Sequence, residues 1–472
     1  MLGKSVRFSY RLMLVFTLLL FLGVSPVQAA TTTLTGTLAD GATYLIEVPS
    51  PWNGTLLLYN HMYFPPGGPN PAQDAPDPST GVYLLANGFA LAGSSYANTG
   101  WAIHEALTDQ MAVLDLFLAQ VGTPTRTITW GHSMGGAVTA GLIQRHPDRF
   151  AGALPMCGVL SGSVAVWNQG LDTAFAFKTF FDSGGDLKVV HINDPMTNLG
   201  LAEQILATAN ATPQGRARLA LANALTDLPG WFDPASPEPA PDDFAAQADN
   251  QFLWVQQVVY PFIFAFRGEL EFRAGGNPSW NTGVDYRVQF AHSANQVEVL
   301  ALYAQAGLNL YDDLNTLNNA ARIAADPGAV DYLQQNITFD GNIHVPVLAM
   351  QTTGDGLVVP QAMDAYRRTV DEAGSQQFLR EVFVHRAGHC TFTPAETVTA
   401  LSILLARLDT GQWPSLHADT LNAQAAALGP LNSAPPAFSL FHSAQFERPF
   451  DAFDAARCAA GHDNQEAPCN VP

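Results

Sequence analysis

The chain has 472 residues, 47% of them hydrophobic and 13% charged, with 21 basic against 41 acidic side chains. That apolar share excludes a disordered polypeptide, and the length exceeds what one small core needs. A net charge of −20 disfavours nucleic acid and anionic membranes as partners.

Residues 1–29 read as an export signal. Lys4, Arg7 and Arg11 make a positive start, Leu12 to Val24 is apolar, and Val27-Gln28-Ala29 suits a signal peptidase. The apolar run is short for a membrane anchor. The expected product is a secreted chain, extracellular or periplasmic, with no stable membrane span after cleavage. Three N-x-S/T sites, at Asn53, Asn210 and Asn336, matter only in a host that glycosylates.

Beyond the signal, Thr31 to Ser50 predicts two strands around a turn at Asp40-Gly41. Thr55 to Tyr59 reads as a buried strand, since it has few polar interruptions. A Pro- and Gly-rich loop, a helix over Gly81–Ala86, a strand at Phe89–Ala92 and a helix over Trp101–Val121 follow. The β-branched run Arg126–Trp130, a helix from Gly136 and a strand at Phe150–Met156 complete a strand–helix alternation. Such alternation predicts an α/β fold, a mostly parallel sheet flanked by helices. From residue 161 to 344 the alternation stops. Helical stretches at 164–181, 199–209, 215–225, 243–259 and 293–308 predict a helical cap or lid inserted into the core. Strand–helix rhythm resumes with strands at Val345–Met350 and Arg380–Val384 and helices at 361–373 and 394–408. The expected division is a core of 30–160 plus 345–410, a cap of 161–344, and a polar C-terminal extension of 411–472.

The chemistry gathers in three segments. Gly131-His132-Ser133-Met134-Gly135 fits G-x-S-x-G between a strand and a helix, the setting of a nucleophile elbow. A sharp turn there lifts a serine Oγ clear of the backbone, and the N–H of Met134 at the helix start faces a developing oxyanion. The bland alternative is a serine in an ordinary strand-to-helix turn. Gly354-Asp355-Gly356 follows one C-terminal strand, and Gly388-His389-Cys390 follows the next. Sites in open α/β sheets collect at these strand ends. An acid at Asp355 would orient a base at His389, which would deprotonate Ser133.

The chain order Ser133, Asp355, His389, together with these loops, resembles the α/β-hydrolase family over about residues 43–159 and 345–408. The resemblance implies a nucleophile at Ser133, an acid at Asp355, a base at His389, and a cap between the sixth and seventh strands. It implies a serine hydrolase that uses an acyl-enzyme intermediate. Carboxylic esters, small or polymeric, are the default substrate. A peptidase or amidase of the same fold is the alternative, and a non-catalytic binding protein on this scaffold is a remote third. No cofactor and no metal site is implied, and oligomeric state is open.

Two departures from the family pattern stand out. Where many members carry His-Gly before the second oxyanion donor, this chain has Tyr59-Asn60-His61-Met62-Tyr63, so the donor falls to the backbone of Tyr63 or Met62. Cys390 directly after the base is similar to the tannase and feruloyl-esterase group, yet that group's partner cysteine beside the serine is here His132.

Candidate substrate contacts are His61, Met62, His132, Tyr96 and Trp101; His132 reads more readily as a packed elbow histidine, His61 equally as a structural loop residue, and Tyr96 and Trp101 at least as readily as ordinary loop packing. The cap aromatics Phe252, Trp254, Phe262, Phe264 and Phe266 read as cap core rather than substrate wall. Asp182, Asp186 and Asp194 are weaker candidates for the acid. Four cysteines allow three pairings. Cys458 and Cys469 bracket a polar loop and form the easiest local pair. Cys157, at a strand end on the active-site side, and Cys390, beside the base, are either a second disulfide or two buried thiols.

Overall fold

The computed structural model describes residues 30–462 and Cys469; the expected signal at 1–29 lies outside the described residues. Nine strands form one sheet. They are β1 (Ala30–Thr37), β2 (Thr43–Ser50), β3 (Thr55–Asn60), β4 (Ala90–Ser94), β5 (Arg126–His132), β6 (Gly152–Met156), β7 (Val347–Gly354), β8 (Leu379–Ala387) and β9 (Phe438–Ser439). Their spatial order is β1-β2-β4-β3-β5-β6-β7-β8-β9. Pairing from β4 through β8 is parallel, while β1–β2, β2–β4 and β8–β9 are antiparallel. Parallel strands need cover on both faces, and the sequences comply: every residue of β3, β4 and β6 is buried. The edge strand β1 is mostly exposed, and β2 is half-buried, with only Ile46 and Pro49 fully buried.

Between β6 and β7 the chain leaves the sheet and builds the cap. Its first helix is Ser163–Phe181; Pro195–Asn210, Pro213–Ala224 and Phe244–Trp254 follow. The last of these runs on through two wide π-helical turns, Val255–Val259 and Phe262–Phe266, into Arg267–Ala274. The wide turns flank Pro261, which has no N–H for a regular i→i−4 bond. Sequence periodicity stopped at Val259 because it could not anticipate a helix that widens to pass a proline. Four shorter helices, Tyr286–His292, Gln296–Ala306, Leu310–Asn319 and Pro327–Gln335, close the cap.

The C-terminal extension is more ordered than its composition implied. It carries a helix at Ala418–Ala427, the edge strand β9 and a helix at Ala452–Ala459. Arg448 reaches from it into the cap, donating to Asp172 Oδ2 at 2.6 Å and to Trp280 O at 2.9 Å. Asp172 also accepts from Tyr286 and Gln289. Two disulfides form, Cys157–Cys390 and Cys458–Cys469. Among the described residues, no helix is long and apolar enough to cross a membrane.

Candidate active site

Ser133 stands between β5 and the helix Met134–Arg145 with φ +58°, a left-handed conformation rare for a side chain of its kind. The turn fits its surroundings because glycines stand two residues away on either side, at Gly131 and Gly135. A Cβ at Gly131 or Gly135 would collide with the backbone oxygen of Asn60, and one at Gly135 with that of His61 as well. The elbow therefore packs directly on the loop that leaves β3. Below it, Asn60 Nδ2 donates to Thr129 Oγ1 at 2.8 Å and Thr139 Oγ1 at 2.7 Å, tying β3, β5 and the elbow helix together.

His389 Nε2 lies 2.7 Å from Ser133 Oγ, and its Nδ1 lies 2.7 Å from Asp355 Oδ2. Asp355 is wholly buried, and its other oxygen accepts from the N–H groups of Leu357 and Val358, each at 3.0 Å. These bonds hold the carboxylate in place and keep it from swinging away from the imidazole. The elements that present the two groups are neighbours: β7 ends at Gly354 and β8 at Ala387, with Gly388 N–H donating to Gly354 O.

The loop that carries His389 is fixed from three sides. Thr352 Oγ1 donates to Gly388 O at 2.9 Å. Arg386 makes a buried two-point pair with Glu396 at 2.7 and 3.0 Å and also donates to Thr391 O. Cys390 is bonded to Cys157, which directly follows β6. Cys157, His389 and Cys390 lie within mutual reach of a metal ion, but the sulfurs are joined to each other and offer no thiolate.

Met134 is the first residue of its helix, so its N–H has no partner four residues back. In the loop after β3, His61 Nδ1 engages Met62 O at 2.6 Å, and Tyr96 Oη donates to His61 O at 3.1 Å. In planar trans peptides the N–H groups of Met62 and Tyr63 then point the opposite way from those carbonyls.

A cleft of about 90 Å³ opens beside Ser133 between core and cap. Tyr63, Trp101, Met134, Val159 and residues 356–359 line it from the core, and Val166, Trp167, Val255, Val259, Phe262 and Ile263 line it from the cap. Of the five expected substrate contacts, the structure brings only Trp101 into this wall. His61 is stacked between Phe64 and Tyr96, and burial pushes its imidazole down to about 4. His132 packs under the elbow against Tyr59 and Phe392; burial, with the charge of His389, pushes it down to about 3. Both are neutral packing groups. Tyr96 is buried as the donor to His61 O, and Met62 is partly exposed outside the cleft wall. Phe262 reverses the expectation for cap aromatics by lining the cleft, while Trp254 and Phe264 are buried in the cap's own core. Asp194 caps the helix Pro195–Asn210, and Asp182 holds Leu187 N–H, so neither serves His389. Trp167, Val255 and Ile263 carried no sequence signal, because a cap wall is set by how helices lie over a sheet and not by any local pattern.

The model of the prolyl oligopeptidase family matches residues 88–174, the stretch that holds the elbow. Two solved structures, an esterase and feruloyl esterase B, both from Aspergillus oryzae, are similar at 13% and 15% identity. Their TM-scores are 0.43 and 0.42; each similarity covers 81% of this chain, and 80% and 81% of the respective structures. The o-phthalyl amidase of Xanthobacter agilis is 32% identical over 423 residues, which span 83% of this chain and 90% of that protein. With that relative, the chain belongs to the serine hydrolases of the α/β-hydrolase family.

Proposed function

We propose that this serine hydrolase cleaves carboxylic esters of small, uncharged acyl groups through an acyl-enzyme. The observation that carries the reading is the unbroken relay Asp355–His389–Ser133, at 2.7 Å on each side of the imidazole, opening onto an apolar cleft. Ser133 Oγ attacks the acyl carbonyl while His389 Nε2 takes its proton. Asp355 holds the Nδ1–H tautomer and stabilises the imidazolium. The N–H groups of Met134 and of Tyr63, with Met62 as the alternative second donor, receive the oxyanion. His389 then returns the proton to the leaving group, and water releases the acid by the same steps in reverse.

A second reading is favoured by the amidase relative, whose name puts o-phthalyl amides among the compounds to test. Matched nitrophenyl esters and nitroanilides of one acyl group separate the two. The ester reading expects kcat/KM for the ester to exceed that for the anilide by more than their intrinsic reactivities do. A smaller gap would favour the amidase. Export before function is part of the proposal, supported by the basic and apolar residues of 1–29 and by the two disulfides.

A further inference from the structure

Buried indole N–H groups ordinarily find an acceptor. In this chain Trp52 donates to Thr55 O, Trp231 to Ser236 O and Trp254 to Trp231 O. Trp101 and Trp167 do not. They are 5% and 4% exposed, and neither Nε1 has an acceptor among the described residues. Trp130 shares that lack, but it sits in the closed core against Tyr59. Trp101 and Trp167, by contrast, line the cleft that holds Ser133, with their rings edge to face at 5.4 Å. One comes from the core and the other from the first cap helix.

Part of the remaining polar lining is engaged with itself, while Tyr63 Oη and Asn223 Oδ1 also lack a partner among the described residues. Gln169 Nε2 donates to Thr226 O, Thr173 Oγ1 to Thr226 Oγ1, and Thr226 Oγ1 to Asn223 O. No residue lining the cleft is charged. Two cationic groups packed near these tryptophans already carry ion pairs, although Arg267 Nη1 has no hydrogen-bond partner among the described residues. Arg267, which lies over the Trp167 ring, pairs with Glu271, and Arg273 pairs with Glu105 and Glu269. What the two indole N–H groups of this wall lack is a neutral acceptor.

We propose that Trp101 and Trp167 form an acyl subsite for an uncharged oxygen acceptor, so that the preferred acyl chain carries an ether or carbonyl oxygen a few atoms from the scissile carbonyl. An unfilled indole N–H in a dry wall has a cost that such an oxygen removes, whereas a methylene in its place leaves the cost standing. A carboxylate would enter without a counter-charge and is disfavoured. The proposal rests on the hydrolase reading of Ser133, and its test keeps the two apart.

The test compares nitrophenyl 3-methoxypropanoate with nitrophenyl pentanoate, in which a CH2 replaces the oxygen, and with the mono-nitrophenyl ester of glutaric acid. The ratio of kcat/KM for methoxypropanoate over pentanoate is measured in the parent enzyme and in W101F, W167F and the double variant. Each removed N–H is expected to lower that ratio by roughly three- to tenfold. The same ratio in the parent and all three variants would overturn the subsite. A preference for the glutarate ester that the variants lose would overturn its neutral character. Failure of the parent to turn over any of the esters would sink the hydrolase reading itself. Where a variant does not fold, indole N–H resonances in S133A protein supply the readout. Those of Trp101 and Trp167 move downfield with methyl 3-methoxypropanoate and not with methyl pentanoate, and no difference between the two ligands would overturn the proposal.

Discussion

Asp355 is the residue whose environment says most about its work. It is fully buried, yet both oxygens are engaged, one by two backbone N–H groups and the other by His389. D355N keeps the size and the backbone contacts to one oxygen but turns a donor toward Nδ1, so the wrong imidazole tautomer faces Ser133. We expect the fold to persist and kcat to drop by on the order of 10⁴. A D355N enzyme with near-parental kcat would show that another acid orients the base. Candidates of this kind were legible because each sits next to or two residues from a glycine at the end of a strand-like run. His61 and His132 were legible as histidines near those ends but not as buried neutral ones. What separates a substrate contact from a packed ring is the side chain of a distant element, Tyr96 for one and Tyr59 with Phe392 for the other.

At the scale of elements, the loop between β8 and the helix Pro394–Thr410 must hold an imidazole over a serine 256 residues away in sequence. The Cys157–Cys390 bond does this from the adjacent strand end, and both cysteines have left-handed φ, +42° and +58°. A link between residues 233 apart stabilises by up to about 5 kcal/mol in the chain-entropy account. The larger consequence is positional. Replacing both cysteines with serine should lower kcat by roughly ten- to a hundredfold, because the base loses its anchor beside the nucleophile. The measurement is kcat below the variant's unfolding temperature. An unchanged value there would reduce the disulfide to a purely structural role. The sequence left this pairing open against two free thiols, since position along the chain does not report where a loop turns. The Cys458–Cys469 pair was simpler, as its members are 11 residues apart.

For the whole molecule, the C-terminal extension joins the sheet through β9 and the cap through the buried Arg448–Asp172 pair. The alternating rhythm of the core was readable because parallel strands and their helices leave periodic apolar runs. The cap was readable as helical but not in detail. The stretch read at 293–308 is the helix Gln296–Ala306, whereas the helix through Pro261 and the short helices Tyr286–His292, Leu310–Asn319 and Pro327–Gln335 are fixed by packing on neighbours rather than by their own patterns. The cap also contains a buried acid, Glu298, which accepts from Gln251 at 2.8 Å and is pushed up from its ordinary 4.5 to about 7 by burial. The folded chain therefore holds a proton that the unfolded chain gives up. That contribution to stability is complete below about pH 4.5 and is lost as pH rises through about 7. E298Q removes the titration. Its unfolding temperature should match that of the parent near pH 5 and exceed it near pH 8, by an amount on the order of 1–3 kcal/mol in stability. Parallel pH profiles for the two proteins would contradict this.

The central claim is that the geometry around Ser133 makes it a nucleophile, and covalent labelling tests it most directly. A fluorophosphonate probe reacts with a serine only when a base activates it and an oxyanion hole receives the phosphoryl oxygen. Mass spectrometry of the labelled, digested protein should find one adduct per chain, on Ser133. The adduct should be absent from S133A and strongly slowed when His389 is replaced by alanine. An unlabelled Ser133 in folded protein, or an adduct on a different serine, would contradict the account.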